Sequence, residues 1–151
     1  MRCVVQRSGP AQVEVDGKIT GAIDHGLVVL VGFAPGDSGA EMQWMARKLV
    51  GLRIFKDSDE LMNLSLQDTG GGILLVSQFT LYGDCRKGRR PSFVKSAPPA
   101  AAKIMYEDFG RILRAEGAAV SEGVFGAMMS VSLTNDGPVT LILDRDAKND
   151  E

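Results

Sequence analysis

The chain has 151 residues, of which 44% are hydrophobic and 24% are charged, and its formal net charge is −2. This length fits one ordinary domain, and the composition is that of a globular protein rather than a disordered one. The longest strictly apolar run, Leu27–Val31, is far shorter than the roughly 18 residues of a membrane-spanning helix. Because no overall positive field attracts a polyanion, any nucleic-acid contact must come from a local basic patch.

The two cysteines, Cys3 and Cys85, do not stand at the spacing of a metal site or a redox motif. We therefore predict two free thiols in a reducing cytoplasm, and neither a metal nor another cofactor. The first residues, Met1–Arg7, do not show the apolar stretch of a secretory signal, which agrees with a cytoplasmic location.

Short apolar segments separated by turns predict a series of strands. Asp16-Gly17 indicates a hairpin, and Gly9-Pro10 is expected to lie in an early turn. The predicted strands and strand pieces cover residues 3–6, 12–15, 18–23, 27–31, 53–55, 63–66, 73–76, 118–120, 130–133 and 139–143.

Two helices are predicted. Ser38 and Glu41 have the spacing of a capping box, so the first helix begins after Ser38. The second covers residues 100–116, with an inward stripe of Ala101, Met105, Phe109 and Ile112. The fold class that follows is a single α+β domain over residues 1–144. It has a curved, barrel-like, mostly antiparallel sheet with two main helices packed outside, and a charged tail follows at residues 145–151.

The sequence offers few candidates for a catalytic nucleophile, general base or phosphate-binding loop. The single histidine, His25, lies in a polar turn far from any nucleophile motif, so we expect it to face solvent. Cys85 stands beside two cations but has no nearby base, and we interpret it as an incidental thiol. Gly70–Gly72 precedes a strand rather than a helix, so it predicts a turn and not a phosphate-binding loop.

Four of the five residues from 86 to 90 are basic, although the whole chain is acidic. Such a concentrated loop suits contacts with phosphates, and an ordinary solvated loop is the alternative. The basic residues are Arg86, Lys87, Arg89 and Arg90.

Two further segments combine polar residues with a backbone that can present donors or carbonyls to a ligand. Ser77-Gln78-Phe79-Thr80 directly follows a buried strand, where backbone N–H groups and the hydroxyls of Ser77 or Thr80 can hold a developing oxyanion. Asn135–Pro138 precedes the last strand, and its Gly-Pro pair can present rigid carbonyls to a ligand. Ordinary turns are the alternative at both places.

Ser77-Gln78-Phe79-Thr80-Leu81 and Asn135-Asp136-Gly137-Pro138-Val139-Thr140 closely resemble the two signature motifs of the D-aminoacyl-tRNA deacylases, first known as D-tyrosyl-tRNA deacylases. The likeness runs in the expected order from Met1 to about Asp144. Supporting stretches are residues 4–7, 52–55, 62–66, 86–93 and 123–127.

The resemblance implies a cytoplasmic homodimer that hydrolyses the ester between a D-amino acid and the terminal adenosine of tRNA. It also implies removal of glycine mischarged on tRNA for alanine. Gly137 and Pro138 would form a cis pair that enters the partner's active site and leaves no room for an L side chain. Arg7 would orient that pair, and Phe125 and Met129 would lie near the terminal adenine. The basic loop at residues 86–90 would reach the acceptor-stem phosphates.

The catalytic chemistry that the family implies needs few side chains. Backbone N–H groups near Gln78, Phe79 and Thr80 would polarise the ester carbonyl, and water would attack with help from the ribose 2′-hydroxyl. Thr80 would position the substrate rather than attack it, since no base stands near it in sequence. Gly83 and Cys85 depart from the Ala and Thr expected of the family, which predicts a more mobile loop. The alternatives are a catalytically silent tRNA-binding module and a relative with trans-proline and relaxed chirality.

Overall fold

The structure, a computed structural model, describes residues 1–147. Within that range it contains eight strands, three α-helices and one 3₁₀ helix. The strands are β1 (Arg2–Val15), β2 (Lys18–Ile23), β3 (Gly26–Gly32), β4 (Phe55–Lys56), β5 (Met62–Leu64), β6 (Gly72–Ser77), β7 (Ala119–Glu122) and β8 (Ser130–Asp144). The helices are α1 (Gly39–Gly51), α2 (Leu66–Thr69), the 3₁₀ helix (Phe79–Tyr82) and α3 (Pro99–Ala115).

The main sheet is curved and nearly closed. Its order is β2-β1-β3-β6-β7, with β8 also paired to β1. The Ser121 hydroxyl of β7 donates to the Ala22 carbonyl of β2 at 2.9 Å, which brings the two ends of the sheet together. The predicted fold class is confirmed, and the sheet is mixed. β1 runs antiparallel to β2, β3 and β8, whereas β3, β6 and β7 are parallel because helices connect them.

The two long helices cover the apolar core. The predicted capping box of α1 is present, since Ser38 accepts from the backbone of α1 and the Glu41 carboxylate accepts from the Ser38 N–H at 2.7 Å. The predicted inward stripe of α3 was partly wrong, because Ala101 is exposed. The stripe is rotated because Tyr106 turns inward to donate to the Leu75 carbonyl at 2.9 Å. The buried residues of α3 are Ala102, Tyr106, Phe109, Gly110 and Leu113.

The prediction of short strands at both ends of the chain was wrong. β1 is one strand of 14 residues, and Gly9-Pro10 lies inside it, not in a turn. There β1 changes partner from β3, which pairs up to Ser8, to β2, which pairs from Ala11. Proline lacks an N–H, so it is tolerated where the ladder is interrupted. β8 is likewise one element of 15 residues that includes Gly137-Pro138.

Smaller elements complete the domain. The hairpin at Asp16-Gly17 is confirmed, and both residues have the positive φ that its tight turn requires. The predicted strand piece at residues 63–66 ends early, because Ser65 and Asp68 form a second capping box that begins α2. Within residues 1–147, no helix has the length and apolar character to cross a membrane. The backbone of Arg145 pairs with that of Met1, and residues 148–151 of the predicted tail lie outside the described residues.

Candidate active site

A pocket of about 670 Å³ opens at the carboxyl end of β6. Its walls come from the ends of β3 and β6, the start of α3 and the segment between β7 and β8. It therefore brings together Ser77, Gln78 and Phe79 of the first motif with Phe125 and Met129, which are separated from that motif by more than 40 residues in sequence. Residues that the sequence reasoning missed also line it, among them Phe33, Phe93, Ser96 and Ala102.

Phe79 lines this pocket, whereas Thr80, the next residue, is not among the lining residues; we call these two residues the pocket mouth. Here the first motif supplies two unused backbone donors. Ser77 ends β6, and the N–H of Gln78 is already committed to the Val31 carbonyl at 2.8 Å. Within the 3₁₀ helix that follows, the first intrahelical donor is Leu81, which donates to the Gln78 carbonyl at 3.2 Å. In the described part of the chain, the N–H groups of Phe79 and Thr80 therefore have no protein acceptor. The family resemblance implies N–H groups near Gln78, Phe79 and Thr80, and in this structure the N–H of Gln78 donates to Val31 instead.

Side chains hold the 3₁₀ helix in place. The Gln78 amide donates to the Thr80 hydroxyl oxygen at 2.5 Å, and Ser96 donates to the Phe79 carbonyl at 3.0 Å. The Phe79 ring meets the Phe93 ring edge to face, with 5.1 Å between centroids. Thr80 is exposed, and its hydroxyl oxygen is bonded to an amide rather than to a basic group. This arrangement suits positioning better than nucleophilic attack.

The opposite wall is aromatic and apolar. Phe125 packs against the Tyr106 ring at 5.8 Å between centroids, and the Tyr106 hydroxyl is fixed by the Leu75 carbonyl. Burial raises the pKa of Tyr106, so this hydroxyl remains protonated. Met129 packs against the second apolar cluster, around Val13 and Leu74. Both side chains line the pocket, and an aromatic ring and a thioether are groups against which a planar base can pack.

The second motif lies elsewhere. Within the described residues, neither Gly137 nor Pro138 lines the pocket of its own chain, and both are exposed. The peptide bond between them is cis. Arg7, which is 3% exposed, donates to the Asp136 carbonyl at 2.9 Å and to the Ile54 carbonyl at 2.7 Å.

Asn135 clamps the same segment from its base. Its side-chain oxygen accepts from the Val139 N–H at 2.7 Å, and its amide donates to the Val139 carbonyl at 3.2 Å and the Thr140 hydroxyl at 3.0 Å. A Cβ at Gly137 would stand 2.8 Å from Val139 Cγ2 and 3.2 Å from Arg7 Nη2, at a φ of +143°. Only glycine fits this position.

The basic loop is closed at its base. Asp84 and Ser92 exchange two backbone hydrogen bonds of 2.8 and 2.9 Å, and the four predicted basic side chains between them are exposed. Arg86 pairs with Asp84 at 2.6 Å, and this guanidinium lowers the pKa of Asp84. Lys87, Arg89 and Arg90 extend beyond that pair.

His25, Cys3 and Cys85 are not among the residues that line the pocket. His25 is exposed in the turn between β2 and β3, with its Nε2 3.2 Å from the Thr69 carbonyl. Cys3 is buried and Cys85 exposed, and both are free thiols. Burial raises the pKa of Cys3 well above its usual value. Gly70 has a left-handed conformation and ends α2, which confirms the turn before β6.

Known proteins match this chain, in sequence and in fold, over nearly its whole length. The family described as D-Tyr-tRNA(Tyr) deacylase matches residues 4–144. A D-aminoacyl-tRNA deacylase of Desulfatibacillum aliphaticivorans is 58% identical over 144 residues, which cover 95% of this chain and 99% of that protein. One from Acaryochloris marina is 55% identical over 150 residues and 99% of each chain. A solved structure described as c-Myc DNA Unwinding Element Binding Protein superposes with a TM-score of 0.92 at 39% identity, covering 97% of this chain and 100% of that one.

These matches place the chain among the hydrolases that act on aminoacyl-tRNA. More narrowly, it belongs to the D-Tyr-tRNA(Tyr) deacylase family. The resemblance drawn from the two motifs and the enzyme class that it implied are both confirmed.

Proposed function

We propose that this chain hydrolyses the ester between a D-amino acid and the 3′-terminal adenosine of tRNA, releasing the free amino acid and tRNA. Family membership supports this reaction. The observation that carries the mechanism is the pair of unused N–H groups, of Phe79 and Thr80, at the mouth of an apolar pocket. Donors fixed before the reaction stabilise charge that develops on an ester carbonyl oxygen.

The proposed reaction uses few side chains. The N–H groups of Phe79 and Thr80 polarise the ester carbonyl, and water attacks its carbon with assistance from the ribose 2′-hydroxyl. The new bond joins the water oxygen to the carbonyl carbon, the bond to the 3′-oxygen breaks, and the proton passes to that oxygen. Ser77, Gln78 and Thr80 position the substrate at the pocket mouth, and the reaction needs no cofactor.

The proposed selectivity comes from a second copy of the chain. In a homodimer, Gly137 and Pro138 of one subunit enter the pocket of the other. Their carbonyls accept hydrogen bonds from the substrate's α-amino group. An L side chain then collides with this pair, whereas a D side chain points away. Glycine has no side chain to collide, so glycyl-tRNA is a substrate too. Support comes from a segment that is exposed and tightly held, yet lies outside its own chain's pocket.

The remainder of the tRNA is held by the outer parts of the site. Phe125 and Met129 contact the terminal adenine, and Arg7 keeps the Gly-Pro segment in its orientation. The basic residues Arg86, Lys87, Arg89 and Arg90 contact acceptor-stem phosphates. We place the reaction in the cytoplasm, where proofreading of newly charged tRNA is needed.

The test is hydrolysis of matched D-tyrosyl-, L-tyrosyl- and glycyl-tRNA at nanomolar enzyme without added metal. We expect rapid loss of the D-tyrosyl and glycyl esters while the L-tyrosyl ester persists. Loss of both tyrosyl esters contradicts the chiral selection and indicates the relaxed relative. Binding of tRNA with no hydrolysis contradicts the enzyme and indicates the silent binding module.

A further inference from the structure

A second concave surface lies on the outer face of α1, away from the pocket. We call it the α1 groove; it has a volume of about 430 Å³. Trp44 forms its half-buried floor, and the side chains of Arg47, Lys48 and Arg53 are exposed along it. The complete lining is Trp44, Arg47, Lys48, Gly51, Leu52 and Arg53.

The charge of the α1 groove is positive. Three of its six lining residues are cationic and none of the six is acidic. Lys48 Nζ lies 5.3 Å from the Trp44 ring centroid, and the Arg145 guanidinium carbon lies 5.2 Å from it. This concentration contrasts with the net charge of −2 of the whole chain.

Among residues 1–147, Arg53 makes no direct ion pair. Its Nε donates to the Asn63 carbonyl at 2.8 Å, and its Nη2 donates to the Asn63 side-chain oxygen, which are both neutral acceptors. The pKa of Asp68 is lowered by the Ser65 N–H, then by the Ser65 hydroxyl, and least by the Arg53 guanidinium. Both Asp68 hydrogen bonds from Ser65 go to the same oxygen, so α2 holds this carboxylate in its own cap.

One lining residue of the α1 groove, Arg53, is connected indirectly to the segment that holds Gly137-Pro138. Arg53 precedes Ile54, whose carbonyl accepts from Arg7, and Arg7 in turn donates to the carbonyl of Asp136. These two hydrogen bonds connect Ile54, the residue next to Arg53, with the segment that meets a ligand in the proposed dimer. In the dimer proposed above, that ligand is the aminoacyl-tRNA in the partner subunit's pocket.

We propose that the α1 groove binds the sugar-phosphate backbone of tRNA. Arg47, Lys48 and Arg53 contact phosphates, and the Trp44 ring supports a sugar or a base between them. This assignment rests on the proposed function for the identity of the nucleic acid. It adds a contact surface separate from the basic loop at residues 86–90.

The experiment compares the wild type with a double variant, Arg47→Gln/Lys48→Gln, for binding of uncharged tRNA at several salt concentrations. We expect the Kd to rise about tenfold and the salt dependence of binding, as log Kd against log salt, to weaken by roughly one to two units. The matched control, Lys18→Gln/Lys103→Gln, removes two exposed positive charges elsewhere and should leave binding unchanged. Thermal unfolding of both variants verifies the fold.

Hydrolysis provides the second measurement, with D-tyrosyl-tRNA and D-tyrosyl-adenosine as substrates. The adenosine ester carries no phosphate, so the double variant should cleave it normally while its KM for the tRNA ester rises. Unchanged tRNA binding overturns the proposal, as does an equal loss of activity on both esters. If the wild type cleaves neither ester, the proposed function fails, and the binding measurement still decides whether the α1 groove holds tRNA.

Discussion

The pocket mouth and the Gly137-Pro138 segment are built in opposite ways. At the mouth, Phe79 and Thr80 are exposed, and their backbone donors have no acceptor within the described chain. At the Gly-Pro segment, the exposed part is short, and a buried Arg7 and the side chain of Asn135 bond to its backbone. The first region is a cavity with unfilled hydrogen-bonding capacity. The second is a projection whose flanking residues, Asp136 and Val139, are hydrogen-bonded to side chains of the same chain.

Under the proposed function, the first region receives the ester and the second region selects between its two mirror-image forms. Unsatisfied donors at a pocket mouth favour a ligand that brings acceptors, such as an ester carbonyl. The buried Arg7 holds the projection from the side of the core. The projection therefore keeps its backbone conformation when a substrate contacts it. A rigid projection of this kind is what steric selection between two mirror-image substrates requires.

Gly137→Ala should produce the largest loss. The added Cβ meets Val139 and Arg7 of the same chain at a φ that L residues rarely adopt, so the projection must shift. We expect roughly a 100-fold fall in D-tyrosyl-tRNA hydrolysis, which is typical of a displacement of about 1 Å near a reacting group. The control is Gly9→Ala, at the other Gly-Pro of this chain, where a Cβ meets nothing within 4 Å. Full activity of Gly137→Ala would show that the projection has no part in the reaction.

Arg7→Gln should produce a smaller loss of activity together with a loss of stability. The shorter side chain cannot bridge the carbonyls of Asp136 and Ile54, so at least one buried acceptor loses its partner. We expect about 2–3 kcal/mol less free energy of unfolding and about tenfold less activity. Urea denaturation and a deacylation assay measure the two effects, with the exposed Arg111→Gln as control. If the variant is less stable but fully active, Arg7 does not determine the orientation of the projection.

Thr80→Ala tests the pocket mouth and should retain substantial hydrolysis. The hydroxyl accepts a hydrogen bond from the Gln78 amide. Loss of this bond costs about 1 kcal/mol of transition-state stabilisation, which corresponds to about a fivefold fall in kcat/KM. The backbone N–H of residue 80 remains in place. Complete loss of turnover with intact tRNA binding would support Thr80 as the nucleophile.

Glu41→Gln should affect neither region. The Ser38 hydroxyl and N–H lower the pKa of Glu41 in the folded state, so its stabilising contribution is fully present above the ordinary carboxyl pKa. That contribution is lost as the pH falls through the lowered, folded-state pKa. We expect the variant to be about 0.5–1 kcal/mol less stable at pH 7, with a difference that shrinks in acid and with normal activity. A constant difference from pH 7 to pH 3 would contradict this role.

Local patterns predicted many elements correctly because their causes lie within a few residues. The capping box at Ser38 and the hairpin at Asp16-Gly17 depend on neighbouring hydrogen bonds and on positive φ. The prediction of a turn at Gly9-Pro10 was wrong because the continuity of β1 depends on β2, β3 and β8, which are distant in sequence. The inward stripe of α3 was misassigned for a similar reason, since the Leu75 carbonyl determines where Tyr106 points.

The sequence by itself determined the α+β class and the two motifs that identify the family, because composition, periodicity and local motifs are encoded in neighbouring residues. Only the tertiary structure decided that Phe125 and Met129 face Ser77–Phe79 across one pocket, and that Gly137-Pro138 lies outside it. It also decided which backbone N–H groups remain unused, since the Gln78 donor is consumed by Val31 of a neighbouring strand. Hydrogen bonds between distant segments depend on strand order and register, and these arise from the packing of the whole domain.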